Sequence, residues 1–488
     1  MIAKDVLKEV LSVALNNGGD FADVFVEQRR TSAVFCEDNR IERVNTGLDV
    51  GAGIRVIQGD STAYAYTNDL SPTGLREAAV IASHAVEGVK KDLILDLRSV
   101  TSPVELTVEE RPDAVTIDRK VDVVETANKV ARAIDPRIKQ AAVSYGDVVQ
   151  NVVIANSEGT YVEDERIRTR FVVNAVAAEG ASIQTGYEAV GGSVGFELFR
   201  AKGVSPEEVA QEAVRKAILM LGARPAPAGR MSVVMAGEAG GTMVHEACGH
   251  GLEADHIQKQ LSVYAGKTGK MVASELISVV DDATLPGKYG SYRFDDEGVP
   301  GQHKVLIENG VLRDYMYDGI TARKEGRQST GNGRRESFHD RPIPRMTNTY
   351  IKSGKDDPEK IIRDTKSGLL AKKMGGGQVN TVNGDFVFDV SEGYLIQDGE
   401  IGAPVRGATL TGNGPEVLCK VNRVGRDLGF GIGTCGKNGQ GVPVSDAQPT
   451  LAIQELIVGG IDVVDAPNAE ICRISQEKDN RLEWKWQK

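Results

Sequence analysis

Residues 3–16 set Val6, Leu7, Val10, Leu11, Val13, Ala14 and Leu15 on one broad face, the spacing of a surface helix. The pattern then changes. Short β-forming runs at Ala22–Glu27, Ser32–Glu37, Arg40–Val44, Gly51–Gln58 and Thr62–Tyr66 predict a meander of hairpins. Helical spacing returns over 70–87 and 120–134. Val143–Ala155, Tyr161–Ala178 and Ser182–Phe196 read as strands, with the turn Asn156-Ser157-Glu158-Gly159 between the first two. Pro206–Leu221 predicts a helix with Ser205 as N-cap and Pro206 in the first position. Glu207 and Glu208 then fall where the helix dipole favours negative charge.

Gly222-Ala223-Arg224-Pro225-Ala226-Pro227-Ala228-Gly229 packs two prolines and two glycines into eight residues. Such a run interrupts helix and strand alike and is the strongest boundary signal in the chain. It divides the protein into an N-terminal unit of residues 1–222, a linker over 223–229 and a C-terminal unit of 230–488. The second unit is rich in glycine and short strands, with one clear helix soon after the strand Met231–Ala236.

The 488 residues carry 55 glycines and only 5% aromatics, which favours glycine-punctuated β structure over helical bundles. A net charge of −11 repels a polyphosphate, so direct nucleic-acid binding is not expected. No apolar stretch approaches the roughly 18 residues of a membrane span, and the first residues mix both charges in a helical pattern unlike a signal peptide. The five cysteines, Cys36, Cys248, Cys419, Cys435 and Cys472, are odd in number and scattered. That argues against a disulfide framework and for a reducing, cytoplasmic setting.

Two of the six histidines flank a glutamate in His245-Glu246-Ala247-Cys248-Gly249-His250. Paired imidazoles are half of a tetrahedral zinc site, and a neighbouring carboxylate is placed to take a proton from a metal-activated water. A His-Glu-x-x-His helix sets its imidazoles about 40° apart. Here the spacing is one residue longer, and a regular helix would set them about 140° apart. Both reach one ion only if the helix widens into a π-type turn or ends between them, which Gly249 and Gly251 permit. The residues alone leave three candidates for a third ligand: Cys248, His256 and Cys435.

Other motifs carry less. Gly431–Gly436 fits G-x-G-x-x-G, but no helix follows to complete a dinucleotide site. Gly191–Gly195 fits G-x-S-x-G, but strand-like flanks on both sides do not make a nucleophile elbow. Met374–Gln378 lacks the Lys-Ser/Thr of a phosphate loop and reads as a turn or a close backbone approach, with Lys372 and Lys373 as a solvated face. Arg334, Arg335, Arg341 and Arg345 form the densest basic patch, suited to a surface or interface role before a substrate role.

Several blocks in order resemble the TldD/PmbA family, on the TldD side. They are Gly240–His250, Gly331-Asn332-Gly333-Arg334-Arg335-Glu336-Ser337, Pro342–Thr349, Arg406–Leu410 with Gly412–Pro415, and Cys435-Gly436-Lys437 with Gly441–Val444. The resemblance implies an α+β fold: an N-terminal α/β domain with an antiparallel sheet, and a C-terminal, mainly β, barrel-like domain carrying the metal-binding helix. It implies a zinc peptidase whose ligands fall on His245, His250 and Cys435 and whose catalytic residue falls on Glu246. It also implies pairing with a non-catalytic PmbA/TldE-like paralogue as a heterodimer, with a homodimer as the fallback. Strand edges near the metal would take unfolded polypeptides or small peptides as substrate; no peptide-binding residue is singled out. The rival expectation is a non-catalytic metal-binding regulator of the gyrase-modulator kind, its metal closed off by a fourth ligand such as Cys248 or His256.

Overall fold

Helix α1 (Lys4–Ala14) buries Leu7, Val10, Leu11, Val13 and Ala14, the face that its spacing predicts. The computed structural model that shows this describes residues 2–88 and 95–460; Cys472 and the rest of 461–488 lie outside the described residues.

The expected meander forms, but with fewer and longer strands, and its first hairpin is one long ladder. β1 (Phe21–Glu37) and β2 (Arg40–Gln58) pair antiparallel along their whole length, turning at Asp38 and Asn39, both at positive φ. The polar stretch Gln28–Thr31 does not end β1, because its backbone is paired on both sides, by β2 and by β5 (Ile138–Asn156). Ladder hydrogen bonds outweigh local polarity there. With β3 (Ser61–Thr67), β6 (Thr160–Glu179) and β7 (Ser182–Gly192), the sheet runs β3-β2-β1-β5-β6-β7, all antiparallel; the two-residue β4 (Arg98–Ser99) lies parallel on β6.

Helices cover one face of this sheet. α1 and α2 (Pro72–Ser83) pack over β1–β3, while α3 (Ile117–Ile134) and α4 (Pro206–Leu221) pack over β5 and β6. α4 opens with a full capping box between Ser205 and Glu208. β7 stops at Gly192 rather than running to Phe196. Ser193 turns inward, its hydroxyl donating to the Ser291 carbonyl, and Phe196 enters a 3-10 turn where it stacks edge-on with Tyr145 and Phe199. Only one flank of the G-x-S-x-G match is therefore strand.

The C-terminal half builds two β layers. Strands Ser367–Val379, Gly229–Met235, Leu451–Gly459, Thr409–Asn413 and Asp385–Gln397 close into a five-stranded ring, because Ser367–Val379 pairs with both Gly229–Met235 and Asp385–Gln397. A six-stranded sheet follows in the order Val311–Leu312, His303–Glu308, Val279–Asp282, Asn348–Ile351, Gln440–Gln448 and Gly429–Lys437. Gly429–Lys437 is its edge.

The other face of the N-terminal sheet packs on this half. Phe25, Val152, Ile154 and Val162 meet Phe294 and Phe338. The Phe338 ring lies where a Cβ on Gly51 would sit, only 2.2 Å away, so this approach requires glycine. Buried ion pairs reinforce the seam: Arg55 bridges Asp23 and Glu297, and Arg166 holds Asp296.

Candidate metal centre

After the strand Gly229–Met235 the chain enters a helix at Thr242–Val244 that passes into a π-turn over His245–Gly249. This is the widening that the long His–His spacing demands. Gly241 lies against the Ala447 backbone, with no room for a Cβ. The Tyr264 hydroxyl donates to the Ala247 carbonyl at 2.7 Å, satisfying an acceptor in the widened turn. The other face, with Met243, Val244, Ala247 and Cys248, sinks into the C-terminal core.

The turn brings His245 and His250 to ring centroids 5.0 Å apart, nearly perpendicular. Cys435 arrives from the edge strand Gly429–Lys437, and one donor atom from each of the three residues lies within 4.8 Å of the others. Cys435 Sγ is 3.4 Å from His250 Nε2. Zn–N and Zn–S bonds at a tetrahedral angle separate N from S by roughly 3.5 Å, so this edge already has the size of a zinc tetrahedron.

Carboxylates stand behind both imidazoles. His250 Nδ1 lies 3.1 Å from Glu253 Oε2, and Glu253 is fully buried. His245 Nδ1 is buried without a hydrogen bond, 3.6 Å from Asp446 Oδ2, whose other oxygen accepts from the Gly241 amide. Such partners orient ligand imidazoles and raise their basicity. Arg345, fully buried, donates to the Cys435 carbonyl and holds the strand in place.

Burial works against a Cys435 thiolate, yet the facing His245 and His250 bring the thiol down to about 4. The same contact raises His245 against the pull of burial. Burial also opposes charge on His250, and Glu253 with Cys435 overrides it. A thiolate beside two imidazoles is a donor set suited to a borderline metal, and zinc fits it. Glu246 is half-buried beside them, and burial lifts its carboxyl above the ordinary range.

The remaining ligand candidates lie elsewhere. Cys248 is fully buried, its thiol bonded to the Val244 carbonyl and pushed by burial up to about 12. His256 clusters with Glu253 and Asp255, where the Lys437 ammonium already pairs with both acids, at 3.0 and 2.6 Å. Of the four arginines of the basic patch, Arg334, Arg335 and Arg345 are buried and hold backbone carbonyls, while Arg341 is exposed. Glu253 had a legible signal, an acid three residues after His250. Asp446 and Lys437 had none, since strand register places them.

The donors sit in a cleft of about 1060 Å³ between the two halves. Its walls are Thr185–Ala189 of β7, the strand Lys373–Val379 and Gly431–Lys437. Met374–Gln378 is thus a bulged strand along the cleft rather than a turn.

The α+β frame thus walls a cleft around two imidazoles, a thiol and the Glu246 carboxyl. The chain belongs to the PmbA/TldA metallopeptidase family: its domain 1, central domain and C-terminal domain models match residues 22–86, 110–221 and 228–460. It is 36% identical to a metalloprotease TldD homologue of Haemophilus influenzae over 466 residues, 94% of this chain and 97% of that protein. A metalloprotease of Methanothermobacter thermautotrophicus is 37% identical over 442 residues, 90% and 96% of the two chains. A zinc metalloprotease TldD homologue of Saccharolobus solfataricus is 27% identical, over 91% and 97%. Two solved structures share the fold. TldE of Thermococcus kodakarensis has a TM-score of 0.73 at 21% identity, covering 93% of this chain and all of that one. A Thermotoga maritima protein described as a candidate modulator of a DNA gyrase has 0.75 at 24%, with the same coverage. Among the described residues no helix is long and apolar enough to cross a membrane.

Proposed function

We propose that this chain is a zinc-dependent peptidase, with His245, His250 and Cys435 as ligands and Glu246 as the catalytic acid–base. The convergence of those three donors at the floor of a cleft, with Glu246 beside them, carries the reading. Zinc there supplies Lewis acidity toward the scissile carbonyl and acidifies water. Glu246 takes the proton of the attacking water and passes it to the leaving amine; its raised affinity for protons suits a group that must both accept and donate. Asp446 and Glu253 keep the imidazoles oriented.

The substrate is an extended peptide. Gly429–Lys437 is an edge strand beside the donors, and β7 offers a second edge across the cleft. A peptide adding to such an edge is held through its backbone, with weak sequence demands, while a folded protein has no backbone groups to offer. Likeness to a TldE structure supports a TldE-like partner that encloses the site. A closed regulatory metal site finds less support, because Cys248 bonds elsewhere and His256 faces a lysine-filled cluster. Glu246→Gln keeps the shape and removes the proton acceptor. It should retain one zinc per chain by elemental analysis and lose peptide hydrolysis by on the order of 10²-fold. Near-normal turnover by this variant would exclude the role.

A further inference from the structure

A second cavity, of about 390 Å³, lies between the N-terminal sheet and the C-terminal half. Strand pairing builds its wall. Arg166, Arg168 and Arg170 alternate along β6 and so point to one face, the face turned to the C-terminal half. Register sets Gln150, Val148 and Gly146 of β5 beside them, and Arg29, Thr31 and Ala33 of β1 beyond. Arg334 and Arg335 close the cavity from the other side.

The charge there is not balanced. Arg166 is answered by Asp296. Among the described residues, Arg29, Arg168, Arg170, Arg334 and Arg335 form no ion pair with a carboxylate. The nearby acids are engaged elsewhere: Asp147 holds Lys120, and Glu336 accepts from the Gly441 amide. Asp295 is taken up by the backbone amides of Glu297, Val299 and Gly333. Arg168 and Arg334 are buried and bonded only to carbonyls, each with two of a guanidinium's five donors. The Nε atoms of Arg170 and Arg335 are buried with no partner at all. Burial, with Arg334 and Arg166 beside it, pulls Arg168 down to about 9. Buried, unpaired guanidinium groups are costly, and a cluster of them calls for a counter-charge. There is room for one, since a Cβ built on Gly146 meets nothing within 4 Å.

We propose that this cavity binds a compact, multiply charged oxyanion of the phosphate class, free or as a small phosphate monoester, at a site separate from the metal cleft. Planar guanidinium forks match such an anion bidentately. The bound anion ties β6 to Arg334 and Arg335 across the seam, so the ligand steadies the two halves against each other. Arg334 also donates to the Pro443 carbonyl in the strand paired with the one bearing Cys435, which links the cavity to the metal strand.

Calorimetric titration of the full chain with inorganic phosphate and with glycerol phosphate tests this, acetate serving as control. Saturable binding of at least one phosphate species with Kd below about 1 mM is expected, and the tighter of the two identifies the natural form. Two variants probe the site without touching its structural arginines. Arg29→Gln with Arg170→Gln removes two unpaired charges; Gly146→Leu fills the cavity and removes none. Both should weaken binding by about tenfold or more with circular dichroism unchanged. Binding should survive removal of metal by a chelator. Absence of saturable binding up to about 10 mM, unchanged affinity in both variants, or loss of binding on chelation would each overturn the proposal.

Discussion

Cys248 and Cys435 are both buried thiols, and what faces each decides its chemistry. Cys248 meets apolar neighbours and a carbonyl, keeps its proton and behaves as a small hydrophobe. Cys435 meets two imidazoles and gives its proton up. Cys435→Ala should therefore abolish stoichiometric zinc binding in elemental analysis, while Cys248→Ala keeps the zinc and costs about 1 kcal/mol of stability. Retention of full zinc by Cys435→Ala would refute the ligand assignment. Asp318 shows titration acting on stability. Burial, then Glu297, raises its carboxyl from 3.8 to about 7, against the lowering effect of its Thr321 bonds and Arg55. Between those values the native state holds a proton that the unfolded chain has released, so stability falls as pH rises through this window. Asp318→Asn keeps a good N-cap for the helix Gly319–Lys324 and cannot ionise. Its melting temperature relative to the parent should improve from pH 4 to pH 8; a constant difference would show that Asp318 does not titrate there.

At the scale of elements, the turn that carries the histidines is shaped from outside. Gly414 packs on the Ala247 carbonyl so closely that a Cβ would stand 2.1 Å from that oxygen, a backbone atom that cannot step aside. Gly414→Ala should push the π-turn out of register. The expected result is weaker zinc retention at a stability cost of about 1–3 kcal/mol, read by metal competition and urea unfolding. Unaltered zinc affinity would mean that the turn holds its own shape. The sequence foretold the irregular turn because two imidazoles five residues apart cannot share an ion on a regular helix. It foretold α1 and the Ser205 cap because both are local. It broke the long hairpin into pieces, because Gln28–Thr31 are polar and the pairing that keeps them extended comes from strands far away in the chain. Asp446 stayed hidden for the same reason: its place beside His245 follows from its pairing with Gly431.

At the scale of the whole molecule, the two halves are joined by buried charge as well as by Phe25 and Phe338. Arg55 contacts Asp23 in its own sheet and Glu297 across the seam, the latter at 2.6 Å. Arg55→Met leaves two buried carboxylates unpaired and should cost about 3–5 kcal/mol in denaturant unfolding. A loss below about 1 kcal/mol would mean that water screens this pair. None of this seam was visible in composition, since Asp23, Arg55 and Glu297 are ordinary charged residues until the fold buries them. The cleft between the halves has a further consequence. Among the described residues, the strand that presents Cys435 is also an edge of its sheet, which an extended peptide can join. A paired strand repeats its geometry every second residue, and a slip of one residue turns each carbonyl the other way. On the peptidase reading proposed above, an unstructured polymer held on this edge would be cut, shifted and cut again in even strides. Its digest, resolved by mass, should form a ladder with rungs two residues apart.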